Sequence, residues 1–406
     1  MRIAFITYEF PQGTGKGGIG TYTSQAANAL AAMGWDVHVF AASHKHSGSS
    51  MAEGYQLHLT QCSNVNDFRH KVVNIFSAQY SLQKFDIMES PEINGNAWEI
   101  KKKYPATPLV VRLHAPGYLV EKLKKKYISF LAKLRFVAGS IRRFKFDLGY
   151  WRPYNKMIDE DYQFIQMADF ITAPSQAMKE WAVTNWQIPA DKITVITNFF
   201  LPSADLLNIP ISEICRYKRV VFFGRLNVLK GLINATKVMK LILKKYPQWH
   251  FKIIGDDGPG PSGNVTMRNW MKGELKEVIS RVEFIDGLAY EALPHAIAEA
   301  EIVLLPSLFE SFSYTCAEAM AAGKAIIASD KCGASYDLIF NNKNGFIIKW
   351  DELSTLTLAL HHFANNKSEA KKMGKVSLDI IKQYSFAHDC NAIENSINAI
   401  GELNSK

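Results

Sequence analysis

Short apolar segments, each followed by a stretch of helical periodicity, recur along nearly all of this sequence, and that alternation restricts the fold more than any single motif. Segments 2–8, 36–42, 55–60, 86–89, 108–114, 170–174 and 193–197 read as strands in the first half, and 219–224, 250–254, 281–286, 301–305, 324–329 and 345–348 in the second. Apolar residues run through many of them without alternating, as in strands buried on both faces, and the helices between supply the crossovers that parallel pairing needs. The expected class is α/β, with doubly wound parallel sheets. A chain of 406 residues should form two such domains. Residues 199–217, with Pro202 and Pro210 and no clear periodicity, divide them. We expect a first domain over 1–200, a linker over 201–217, a second domain over 218–385 and a final helix over 386–406.

Hydrophobic residues make up 48% of the chain and charged ones 21%, which excludes a disordered protein. No stretch approaches the ~20 apolar residues of a membrane span, and the apolar N-terminal run is too short for a signal peptide. Cys62, Cys215, Cys316, Cys332 and Cys390 are odd in number and scattered, the usage of reduced thiols in a cytoplasmic protein.

Two clusters carry chemistry. In the first, the apolar run Ile302–Leu305 leads through Pro306-Ser307 to Glu310, and Glu318 follows on an Ala-rich helix that should stop at Gly323. The two carboxylates should lie on the order of 10 Å apart, separated by free N–H groups of a helix start. That arrangement suits a ligand with hydroxyls at both ends and phosphate between, such as a nucleotide-sugar. In the second, the strand ending at Gly224 is followed by Arg225 and Lys230. Ligands bind at the C-terminal edge of a doubly wound sheet, where a planar guanidinium and a compact ammonium can clamp a pyrophosphate. Each residue alone would pass for ordinary surface charge.

The segments Gly224-Arg225-Leu226 with Lys230-Gly231, Gly255-Asp256-Asp257-Gly258, and Pro306-Ser307 leading to Glu310 and Glu318-Ala319-Met320-Ala321-Ala322-Gly323 together resemble the retaining glycosyltransferases of family four. The resemblance covers most of the chain and implies the GT-B fold, two Rossmann-like domains facing a cleft. It also implies transfer of a hexosyl unit from a nucleotide-diphosphate sugar to a glycan or lipid-linked acceptor, in polysaccharide or glycolipid biosynthesis. Configuration would be kept by a same-face mechanism, since no second carboxylate stands out as a nucleophile. By the same resemblance Arg225, Lys230, Glu310 and His114 are the catalytic candidates. Donor binding would add Gly17, Gly18, Ser311, Phe312, Ser313 and Glu318, with Glu310 on sugar hydroxyls, Glu318 on ribose hydroxyls and His114 near the anomeric centre. Where relatives often carry Glu-Gly-Phe-Gly, this chain has Glu310-Ser311-Phe312-Ser313. The alternatives are a nucleotide-sugar epimerase on the same fold and an inactive, membrane-associated scaffold.

Neither a metal nor a cofactor is expected, because Arg225 and Lys230 supply the positive charge. Gly15-x-Gly17-x-x-Gly20 matches a dinucleotide fingerprint in form, but no acid ends the second strand to hold a ribose. It reads instead as a loop that brings backbone N–H groups to the donor's phosphates, the alternative being a plain surface turn. Asp159-Glu160-Asp161 has the form of a metal motif but falls in a helical pattern, as a solvated face would.

The net charge of +9 is concentrated: residues 121–146 hold nine Lys or Arg against one acid, Glu121. Interleaved with Leu, Ile and Phe from Lys122 to Phe146, these cations form the pattern of an interfacial helix on anionic lipid. That would place the enzyme on the inner membrane surface; the other reading is a cover for the acceptor side. No nucleic-acid recognition module accompanies the charge.

Overall fold

The computed structural model describes all residues except 16, 129, 146, 148, 152, 212–217, 262–264, 367 and 385–406. Its contacts divide the described chain into two units.

Unit 1 takes in Met1–Tyr118 and Asn155–Leu201. Its strands are β1 (Arg2–Thr7), β2 (Asp36–Ser43), β3 (Gly48–Ala52), β4 (Tyr55–Gln61), β5 (Ile87–Pro91), β6 (Leu109–Arg112), β7 (Phe170–Ala173) and β8 (Ile193–Val195). They lie in the order β3-β4-β2-β1-β5-β6-β7-β8, every pair parallel except β3 with β4. The chain winds outward from β1 and then returns to its other side, so the switch point lies between β1 and β5.

Unit 2 takes in Leu119–Tyr154 and Pro202–Tyr384. Its strands are β9 (Lys218–Phe223), β10 (Trp249–Ile254), β11 (Val282–Ile285), β12 (Ile302–Leu305), β13 (Ala325–Ser329) and β14 (Gly345–Ile348), ordered β11-β10-β9-β12-β13-β14 and all parallel. Phe222, Trp249, Leu304 and Ile327 from the sheet pack with Met239 and Phe363 from its helices, all of them buried. Here the switch point lies between β9 and β12, the two strands whose following loops carry Arg225, Lys230 and Glu310.

Several expectations need amendment. The strand β3, Gly48-Ser49-Ser50-Met51-Ala52, is an exposed antiparallel edge with no apolar run to reveal it. Within 201–217, Ala204–Leu207 is a short helix that buries Leu206, and 212–217 lie outside the described residues, as does the helix expected over 386–406. Leu119–Tyr154, placed by sequence in the first domain, gathers with unit 2, because Tyr127 packs against that unit's core and Lys126 Nζ sits 3.8 Å above the Trp350 ring. Asp161 is no solvated face: it is 6% exposed, and its carboxylate accepts the N–H groups of Asn94 (2.7 Å) and Gly117 (2.8 Å). Among the described residues no helix is long and apolar enough to cross a membrane.

A chain of buried polar groups crosses the outer half of unit 1's sheet. His38 Nδ1 lies 2.9 Å from His58 Nε2, and His58 Nδ1 lies 2.8 Å from Ser49 Oγ, while Arg2 Nη2 reaches His38 Nε2 at 3.0 Å. Burial, followed by the charges of His38 and Arg2, pushes His58 down to about 4. A histidine kept neutral in the fold but free to protonate when unfolded confers stability that is complete above about pH 6.5 and is lost as pH falls toward 4. Stability to urea should therefore drop by roughly 2–3 kcal/mol on this account between pH 6.5 and 4. A His58→Gln variant should show a shallower pH dependence; the same slope as the parent would refute the assignment.

Candidate active site

The loops that follow β9 and β12 are laced together by backbone. Gly231, at φ 70°, approaches the Pro306 carbonyl so closely that a Cβ there would lie 1.7 Å from its oxygen. The Leu308 N–H donates to the Leu229 carbonyl at 2.7 Å. Asn227 caps the turn by accepting the Lys230 N–H at 3.2 Å, and Gly231 starts the helix Leu232–Lys245. These contacts bring two segments eighty residues apart to one place. There Lys230 Nζ forms an ion pair with Glu310 Oε1, and Ser307 Oγ donates to the same oxygen at 2.9 Å. Glu310 Oε2 takes no hydrogen bond from the described residues. Arg225, in the same loop, is exposed.

Glu310 is held at both ends of its peptide: its N–H donates to the Lys331 carbonyl (3.0 Å) and its C=O accepts from Gly333 (2.8 Å). Phe312 is buried, and its C=O accepts the Ala334 N–H at 2.8 Å. Ser313 caps the helix Tyr314–Ala321 through the Cys316 N–H (3.3 Å) and has φ 93°. That left-handed backbone is one a glycine, as in the Glu-Gly-Phe-Gly pattern that the family resemblance implies, would adopt without strain. The helix ends as expected at Gly323, φ 64°. Glu318 sits in its second turn, half-buried, and burial pushes its carboxyl up to about 7. No group among the described residues hydrogen-bonds that carboxyl. In the β10 loop, Asp257 Oδ1 folds the turn by accepting the N–H groups of Gly258 (3.0 Å) and Arg268 (2.9 Å), and Asp256 is exposed.

The remaining candidates lie in unit 1. His114, 5% exposed, meets the edge of the Tyr22 ring at 5.5 Å, and its backbone N–H donates to both oxygens of Glu92 (2.9 and 2.8 Å). Burial, helped by the Arg112 guanidinium, holds its imidazole down at about 3, so it is neutral at physiological pH. Arg112 lies over the Tyr22 ring and donates to Asn198 Oδ1 and the Ile196 carbonyl, each at 2.7 Å. Glu92 is fully buried, and desolvation, then the neighbouring Asp161, push it up to about 8. Glu92 and Asp161 thus pin the loop that carries His114 to the turn after β5. Neither was recognisable beforehand, since their partners are backbone N–H groups.

Gly17 leaves room for another acid: a Cβ there would lie 2.0 Å from Glu9 Oε1, which accepts the Gly20 N–H at 3.2 Å. Gly18 opens the helix Gly18–Ala32 with nothing near its missing Cβ. Glu9, unnoticed in the sequence, therefore already occupies part of the N-terminal donor set expected to meet phosphate.

Comparisons with known proteins identify the family and the fold. The family model described as Glycosyltransferase Family 4 matches residues 16–200, and that described as Glycosyl transferases group 1 matches residues 212–377. The chain belongs to these glycosyltransferases. Its fold is GT-B: sucrose-phosphate synthase of Thermosynechococcus elongatus superposes with a TM-score of 0.72 at 18% identity, over 100% of both chains. HepE of Anabaena, in complex with UDP, does so at 0.64 and 18%, over 98% of this chain and 100% of its own. By sequence, a D-inositol 3-phosphate glycosyltransferase of Corynebacterium glutamicum is 24% identical over 241 residues, 56% of each chain. An uncharacterized glycosyltransferase of Methanocaldococcus jannaschii is 26% identical over 183 residues, 42% of this chain and 44% of its own. The chain spans about half the length of these relatives.

Proposed function

We propose that this glycosyltransferase moves a hexosyl unit from a nucleotide-diphosphate sugar to a glycan or lipid-linked acceptor, keeping the anomeric configuration and requiring no metal. The observation that carries the reading is the cluster at unit 2's switch point, where Arg225, Lys230, Glu310 and Glu318 all project from the loops and helix that follow β9 and β12. Arg225 and Lys230 would neutralise the departing diphosphate as its charge develops. With Lys230 and Ser307 both on Oε1, Glu310 keeps Oε2 for a sugar hydroxyl. Glu318, with no protein partner among the described residues, would accept from ribose hydroxyls. The roles of His114 and of Gly17 and Gly18 rest on the family resemblance and on their places at the C-terminal edge of unit 1's sheet. HepE has also been solved with UDP-glucose, which makes that sugar nucleotide the first donor to test, beside GDP- and ADP-sugars.

The ionisation of Glu318 supplies a sharp test. A carboxyl titrating near 7 accepts from two hydroxyls only when ionised, so donor affinity should rise between pH 6 and 8. The pyrophosphate of a sugar nucleotide is a diester that stays fully ionised over that range and adds no slope of its own. Calorimetry should show the rise in the parent and not in Glu318→Gln. Glu310→Ala should weaken the sugar nucleotide but leave free nucleoside diphosphate bound nearly as in the parent. If both variants bind both ligands like the parent, the two roles are wrong.

A further inference from the structure

The basic segment consists of two helices with opposite allegiances. In the first, Gly117–Lys126, Leu119 is buried, Lys125 pairs with Glu121 at 3.3 Å and Lys126 lies over Trp350; Tyr127, just beyond, packs on unit 2's core. That lysine run serves in part to seat the helix on its own unit. The second helix, Phe130–Arg142, leaves several of its large apolar residues exposed. Phe130, Leu134 and Ile141 share one stripe by their spacing and are 67%, 43% and 56% exposed.

The inner side of this helix is already covered by the chain's own return. Phe136 packs so closely on Gly149 that a Cβ there would lie 2.3 Å from its ring, and the buried Ser140 hydroxyl donates to the Val137 carbonyl at 2.8 Å. Phe144 follows, wholly exposed and at φ 55°, a backbone region that bulky residues avoid. Trp151, 41% exposed, meets the Phe130 ring edge-on at 6.1 Å. Arg135 and Arg142 within the helix, and Arg143 and Lys145 directly after it, are exposed, and no acid occurs between Phe130 and Lys145.

We propose that this face docks on a membrane surface rich in anionic lipid. Phe130, Leu134, Ile141 and Phe144 enter the headgroup boundary, and the arginines and Lys145 meet lipid phosphates. Other occupants satisfy only half of the pattern. A nucleic acid would match the charge but leave the Phe144 and Ile141 side chains in water. A second copy of the chain would cover the apolar stripe while setting arginines against arginines. An anionic interface matches both, and it would bring a lipid-linked acceptor to the enzyme.

Flotation of the full chain with vesicles tests this without any donor, so the transfer reading and the docking reading stand or fall separately. We expect flotation with phosphatidylcholine vesicles containing phosphatidylglycerol and little with phosphatidylcholine alone. Raising salt from ~0.1 M to ~1 M, which shortens the screening length from ~10 Å to ~3 Å, should release the protein. The double variant F130S/F144S, altered only at exposed positions, should lose binding on the order of tenfold, with an unchanged melting temperature and unchanged affinity for UDP-glucose or whichever sugar nucleotide binds. R142Q/R143Q should lose the preference for anionic vesicles. Equal flotation with both vesicle types, flotation with neither, or parental binding by F130S/F144S would overturn the proposal. So would a lipid-free dimer in sedimentation that the same double variant abolishes, which would assign the face to self-association.

Discussion

Lys230→Ala and Arg225→Ala are each expected to slow sugar transfer by ~10²-fold or more at saturating donor while leaving the fold intact, since each removes a cation placed to stabilise the leaving diphosphate. The two losses should differ in kind. Arg225 is exposed and forms no ion pair among the described residues, so its removal costs charge alone. Lys230 is ion-paired with Glu310, and its removal also frees the carboxylate that is to bind the sugar. Lys230→Ala should therefore disturb donor affinity as well as rate, whereas Arg225→Ala should act mainly on rate. Lys230→Arg should not restore parental activity, because a planar fork cannot take the position of a compact ammonium held between a carboxylate and a phosphate. Initial rates and calorimetry on the same preparations separate these effects. Near-parental turnover in both alanine variants would remove the clamp.

The strands were readable because parallel strands buried on both faces leave continuous apolar runs, and Ile302–Leu305 and Lys218–Phe223 fall within a residue or so of where those runs predict. β3 was not, because an exposed edge of Gly, Ser and Ala gives no such signal. In unit 2's candidate site, the charged residues stood out by type and by their places after strands. Ser307 entered only as part of the Pro306-Ser307 motif and received no role, although it is buried and bonded to Glu310, since a serine after a proline gives no sign of which side chain it will meet. In unit 1 the reading failed more deeply. Asp161 looked solvated from its helical pattern, yet its carboxylate accepts N–H groups from positions 94 and 117, far away in sequence. The buried Glu92 and the half-buried Glu9 were passed over for the same reason: local pattern reports periodicity, while the role of such an acid is defined by the loop N–H groups it accepts. The basic segment shows the limit from the other side: amphipathicity announced one interfacial helix from Lys122 to Phe146, where the chain forms two, Gly117–Lys126 and Phe130–Arg142.

Gly231→Ala should be the most damaging of the small substitutions in unit 2. The position has φ 70°, where an alanine costs about 1 kcal/mol relative to glycine. Its new Cβ would stand 1.7 Å from the Pro306 oxygen, a backbone atom that cannot rotate away. The β9 and β12 loops would have to part, breaking the Leu308–Leu229 hydrogen bond and displacing Lys230 from Glu310. We expect a loss of about 3 kcal/mol or more, and a fall in melting temperature of roughly 6–12 °C for a unit of this size. Gly273→Ala is the matched control: it lies in the helix Met267–Glu274 with open space at its Cβ, so it should be neutral or stabilise by up to ~1 kcal/mol. Donor binding should fall in the Gly231 variant even well below its melting temperature, because the strain acts on the loop that carries Arg225 and Lys230. A Gly231→Ala protein that melts with the parent would mean that the two loops are not held in contact, and the Lys230–Glu310 pairing would lose its structural basis.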